Sequence, residues 1–274
     1  MLSESVIRRH HVTVSGAGDV TLLMAHGFGC DQHMWRFVAP ELAKDHRVVL
    51  FDHIGCGGSD ASAWDPVRHG SLAGYAQDVI DLCDAMAPAR IVFVGHSVSA
   101  MIGALASIAR PGIFERLVMI GPSPRYLNDA SEGYHGGFEP ADIEGLLDLM
   151  TDNMIGWANH LAPLVMQNPD RPELGVELAA SFCSGDPTIG RRFARLVFTA
   201  DNRADLPQLR VPTLVMQCSQ DAIAPDVVGA HVHAQVAGSR FVRMAATGHC
   251  PHMSHPDETL AIIQRYLAEP HELA

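Results

Sequence analysis

Basic side chains are scarce. Lys and Arg together number 19 against 31 Asp and Glu in 274 residues, a formal net charge of −12. That balance argues against tracking a nucleic-acid backbone, which needs a basic face. No apolar run approaches the ~20 residues of a membrane helix; the longest, Ala100 to Ala109, is interrupted by Gly and Ser. The first residues, MLSESVIRRHH, hold two arginines without an apolar stretch behind them. The expectation is a chain without a secretory leader, starting near Met1. There is no CxxC pair: Cys30, Cys56, Cys83, Cys183, Cys218 and Cys250 are scattered, as for reduced thiols in the cytoplasm. Neither repeats nor low-complexity segments occur. What remains is 47% hydrophobic and 18% charged, with mean hydropathy near zero, the composition of a globular chain with a sizeable core.

Near-continuous hydrophobic runs recur at Val20–Ala25, Arg47–Phe51, Arg90–Val94, Arg116–Ile120 and Thr213–Gln217. Strands buried on both faces of a parallel sheet read this way. Helical spacing fills Met34–Lys44, Leu72–Ala87 and Val98–Arg110 between them, so the expected class is α/β with helices on both faces. The alternation near the end of Ile7–Val14 predicts an antiparallel edge strand. From Pro122 to Leu209 the strands stop and four helices are expected, Glu139–Met150, Met154–Met166, Pro172–Cys183 and Pro187–Thr199. Their separators GFEP, NPDRP and SGDP carry turn and cap chemistry. Residues 124–209 thus read as a helical cap inserted in a core of 1–123 and 210–274. The alternation then resumes: a helix from Pro225, a strand near Phe241–Met244 and a helix over Pro256–Leu267.

The strongest local signal is Gly95-His96-Ser97-Val98-Ser99, a buried strand running straight into a helix with serine at the junction. A strand-to-helix turn this sharp needs small residues two before and two after the nucleophile. Gly95 meets that need, and Ser99 stands where glycine is usual. Asp221 follows a later strand and His249 the last one, so the order Ser, Asp, His brings all three to one sheet edge. Ser97 is the expected nucleophile, His249 the base and Asp221 the group that orients the imidazole. His26-Gly27-Phe28-Gly29 follows the first central strand, and the amides of Phe28 and Val98 are the expected oxyanion donors. The Gly-rich run Phe51 to Asp60 fits neither GxGxxG nor a P-loop and is expected to be a structural turn anchored by Asp52. His249, Cys250, His252 and His255 have metal-ligating types, yet Pro251 and Pro256 predict a loop and His249 has the catalytic assignment. No metal and no cofactor are expected.

On HGFGCDQHMW (26–35), FDHIGCGGSD (51–60), VGHSVSAMIGALASI (94–108) and GHCPHMSHPDET (248–259), the sequence resembles the α/β-hydrolase superfamily over essentially its whole length. Within it, the chain is similar to the RsbQ-like bacterial stress-signalling hydrolases and their relatives, the plant strigolactone and karrikin receptors. The resemblance implies a mostly parallel sheet under a four-helix cap and a buried apolar pocket at the serine. Candidate walls are Phe28, Tyr126, Phe138, Trp157, Leu161, Phe193, Phe198 and Ile223. The expected activity is hydrolysis of a small hydrophobic ester or lactone, slow and coupled to stress signalling. The alternatives are a ligand-sensing regulator that activates a signalling phosphatase with little turnover, or a carbon–carbon bond hydrolase. The expected partners are a small hydrophobic molecule and that phosphatase, with neither nucleic acid nor membrane. Ser97 in place of aspartate argues against dehalogenation.

Overall fold

The computed structural model describes residues 2–270; Met1, the expected start, lies outside them. Helix α1 (Leu2–Arg9) precedes strands β1 (Thr13–Ser15) and β2 (Thr21–Ala25), helix α2 (Ala39–Leu42) and strand β3 (Arg47–Phe51). Next come α3 (Leu72–Met86), β4 (Ile91–His96), α4 (Val98–Ala109) and β5 (Arg116–Ile120). Four helices follow, α5 (Pro140–Asp152), α6 (Met154–Met166), α7 (Pro172–Phe182) and α8 (Pro187–Thr199). The chain closes with β6 (Thr213–Gln220), α9 (Asp226–Gln235), β7 (Arg240–Thr247), α10 (Pro251–Ser254) and α11 (Pro256–Ala268).

Among the described residues seven strands form one sheet in the order β1-β3-β2-β4-β5-β6-β7. Every pairing is parallel except β1 with β3. Strands β2, β4 and β5 are buried along their whole length, which requires helices on both faces and explains their unbroken hydrophobic runs. Edge strand β1 is exposed throughout.

The expected antiparallel edge strand is there as β1, preceded by a helix that was not expected, and a second stretch differs from the sequence expectation. Only Thr13–Ser15 of the amino-terminal segment is strand; Ile7 to Arg9 belong to α1. Glu4 in its first turn and Arg8 and Arg9 in its last suit the helix dipole, and Arg9 reaches Asp81 of α3 at 3.3 Å. Met34–Lys44 is not one helix but a 3-10 turn, Gln32–Trp35, followed by the short α2. Pro40 sits in the first turn of α2, where its missing N–H is harmless, but a helix running through it would lose a bond.

Helices α5–α8 start as their separators predict. Asn153 caps α6 by accepting from Gly156 N at 2.9 Å, and Asp186 caps α8 by accepting from Thr188 N and Ile189 N. The two ends of the insertion are clamped together: Arg203 bridges Asp129 at 2.9 Å and Asp201 at 2.8 Å. Arg125 pairs with Asp201 as well, and Asn202 N donates to Pro124 O at 2.8 Å. Among the described residues no helix is long and apolar enough to cross a membrane.

Candidate active site

Ser97 is the single residue between β4 and α4, with φ 56° and ψ −122°. A non-glycine side chain in that region is strained and persists only where its surroundings over-determine it. Here they do. Ser97 N donates to Ile120 O of β5 at 2.8 Å, and a Cβ on Gly95 would stand 2.5 Å from Ser99 O, so only glycine lets strand and helix close the turn. The unusual Ser99 is fully satisfied: its hydroxyl donates to His26 O at 2.5 Å and accepts from His53 Nε2 at 2.7 Å. Burial drives His53 well below the usual histidine range, so a neutral ring with one N–H makes this bond.

The structure brings Ser97, His249 and Asp221 into one hydrogen-bonded chain. His249 Nε2 lies 2.8 Å from Ser97 Oγ, and Nδ1 lies 2.7 Å from Asp221 Oδ2. The other carboxylate oxygen accepts from Ile223 N and Ala224 N at 2.8 and 3.0 Å. All three side chains are buried. Asp221 follows β6 directly, while the His249 loop is also held from the cap. His249 N donates to Val165 O in α6 at 2.7 Å, and Asn168 Nδ2 donates to Thr247 O at 3.2 Å. Gly248, at φ 81°, has no room for a side chain, since a Cβ would fall 1.9 Å from Met166 O.

Around the serine is a small, mostly apolar cavity. Phe28, Tyr126, Leu161, Phe198 and Ile223 line it as expected. Val165, Leu178, Phe182 and Val197 join them without having been singled out in the sequence, because apolar residues at helical spacing look the same whether they face a pocket or a core. Three expected walls are corrected. Trp157 is 1% exposed and stands behind the wall, against Phe28 and Phe182. Phe138 backs Phe198 from outside the cavity. Phe193 stacks on Tyr75 and lines a neighbouring cavity, which also touches Phe28 and Phe182. Besides His249, Tyr126 reaches the serine, with its hydroxyl 3.3 Å from Ser97 Oγ. Burial pushes its phenol up, so it stays protonated and can donate. Val98 opens α4, where first-turn amides have no partner within the helix.

The Gly-rich run 51–60 is a turn built on Asp52, which accepts from Gln32 N and Gly58 N at 2.8 and 2.9 Å. Residues 249–255, expected as a loop, contain α10 instead. Pro251 at its start costs no hydrogen bond, because amides there lack intrahelical partners. The four metal-ligating residues are thereby separated. His249 faces Ser97, His255 bonds Ser254, and Cys250 and His252 turn inward beside His96.

A model of the Alpha/beta hydrolase family matches residues 22–262. Karrikin insensitive 2 receptor CA of Petunia hybrida is 38% identical over 260 residues, 94% of this chain and 95% of that protein. Strigolactone esterase D14 of Arabidopsis thaliana is 37% identical over 268 residues, 97% of this chain and 99% of that one. The solved structure of a hydrolase from Oleispira antarctica aligns with a TM-score of 0.95 at 39% identity, covering 98% of each chain. With a family match over residues 22–262 and relatives aligned over nearly the whole length, the chain belongs to the alpha/beta hydrolase family.

Proposed function

We propose that the chain is a cytoplasmic serine hydrolase acting on a small hydrophobic ester or lactone. The observation that carries this reading is the unbroken hydrogen-bond chain from Ser97 through His249 to Asp221. Ser97 Oγ attacks the acyl carbon as His249 Nε2 takes its proton. Asp221 holds the Nδ1 tautomer and stabilises the imidazolium, and His249 then protonates the leaving oxygen. The amides of Phe28 and Val98 receive the oxyanion. Water deacylates the serine by the same steps in reverse. The apolar lining favours an uncharged substrate, because a buried unpaired charge costs several kcal/mol.

A second reading concerns rate and purpose. Relatives bearing the word receptor and the RsbQ-like motifs support slow turnover coupled to signalling, with a signalling phosphatase as the partner. One experiment addresses both. The protein and Ser97→Ala are exposed to a phosphonate serine probe and a short p-nitrophenyl ester, with intact mass and release rate recorded. A single adduct and turnover, both absent in the variant, support the hydrolase. A folded protein that takes no adduct and turns over nothing refutes it and leaves the binding regulator.

A further inference from the structure

Beneath the proposed triad lies a constellation that ester hydrolysis leaves unused. His96, Cys250 and His252 each offer a ligand atom, and these atoms all lie within 4.8 Å of one another. None of the three is more than 2% exposed. The His252 ring packs 4.5 Å from Trp35 and 4.5 Å from His96, centroid to centroid, yet neither of its nitrogens has a hydrogen-bond partner. A neutral imidazole carries one N–H and one lone pair, so both go unanswered, and an unsatisfied buried donor costs about 1–3 kcal/mol. His96 Nε2 is bonded to the His249 carbonyl at 2.8 Å, while its Nδ1, facing Gly27, is also unpartnered.

One thiol and two imidazoles suit a borderline-soft ion such as Zn²⁺, whereas Mg²⁺ and Ca²⁺ seek oxygen. Tetrahedral zinc sets such ligand atoms about 3.3–3.6 Å apart, so side-chain shifts of about 1 Å close the group. His96 and Cys250 also line the cavity around Ser97, so the cluster borders that space. We propose that His96, Cys250 and His252 form a zinc-binding site. Binding replaces the Cys250 thiol proton, released to solvent, with a sulfur–zinc bond, and engages one lone pair from each imidazole without electron transfer. Because His96 Nε2 holds the His249 carbonyl, an ion on Nδ1 keeps that N–H as the orienting donor, the usual companion of a ligating histidine.

The test uses the full chain with Cys183→Ser, which removes the exposed thiol. Zinc and cadmium are titrated, and zinc X-ray absorption and the cadmium–thiolate ultraviolet band are recorded. One ion per chain is expected, with one sulfur and two imidazole nitrogens around zinc. Even the loss of groups that merely orient metal ligands costs 10–100-fold, so Cys250→Ser and His252→Gln are each expected to weaken zinc by about a hundredfold or more. No binding, zinc without sulfur in its coordination shell, or unchanged affinity in both variants overturns the site. Where either variant fails to fold by circular dichroism, the sulfur signal of the parent decides alone. None of these readouts needs turnover, so they hold whether or not the chain hydrolyses esters.

Discussion

Ser97 and His249 are not held alike: the first is fixed by the sheet alone, the second by the sheet and the inserted helices together. Ser97 belongs to the sheet: its amide bonds β5, its strand is buried end to end, and Gly95 closes the turn against α4. His249 sits on a loop gripped from two sides: Gly248 N donates to Gln220 O of β6 and His96 Nε2 meets the His249 carbonyl, while α6 and the turn after it add Val165 O and Asn168. Ser97 is therefore as rigid as the core, while His249 answers to the inserted helices as well as to the sheet. Displacements of about 1 Å cost about a hundredfold in rate, so movement of α6 is enough to detune the pair without touching the serine.

Substitutions that strike one side and spare the other sharpen this contrast. The largest effect is expected from Asp221→Asn, which removes the carboxylate from His249 Nδ1. Ester turnover falls about 10⁴-fold with the melting temperature little changed, and steady-state kinetics with calorimetry reads both. Gly248→Ala drives a methyl into Met166 O and is expected to lower turnover about a hundredfold; unchanged kinetics would mean the cap does not hold the base. On the sheet side, Ser99→Gly strips His53 Nε2 and His26 O of their shared hydroxyl and costs about 1–3 kcal/mol of stability, measured by urea unfolding. Asn168→Ala gives up a cap-side bond worth about 1 kcal/mol, and turnover should fall more than stability does. The smallest effect concerns the clamp at the cap's neck. Hydrogen bonds from Arg203 and Arg125 hold the Asp201 carboxyl down at about 2. Its contribution is complete above the ordinary 3.8 and is lost as pH falls through about 2. Asp201 is 37% exposed, so Asp201→Asn should remove less than about 1 kcal/mol at neutral pH and flatten the acid limb of a stability-versus-pH curve.

The strands were legible because burial on both faces leaves one pattern, and the meeting of Ser97, Asp221 and His249 was legible because topology alone sends three strand ends to one edge. Helix α8 was bounded by the Asp186 of its SGDP separator, which caps it. Less legible was anything decided by distant contact. Helix α1 had no sequence expectation of its own, and its Arg9 finds a partner in α3, far along the chain. Trp157, Phe138 and Phe193 have the chemistry of pocket walls but pack one layer back, and periodicity cannot tell the first layer from the second. His96 gave no sign of neighbouring Cys250 and His252, since 150 residues and the whole cap separate them in sequence.

Strands β5 and β6 are neighbours in the sheet, yet residues 121–212 run between them. Loop-closure entropy grows only slowly with length, so the insertion costs the finished fold little. Its effect is on the route to that fold. Helices α5–α8 form through local contacts, whereas the β5–β6 ladder waits for the chain ends at Pro124 and Asn202 to meet, and non-local pairing of this kind is slow. Refolding followed by pulsed hydrogen exchange should show cap amides protected before those of β6, with Ser97 and Asp221 coming together only in the last phase.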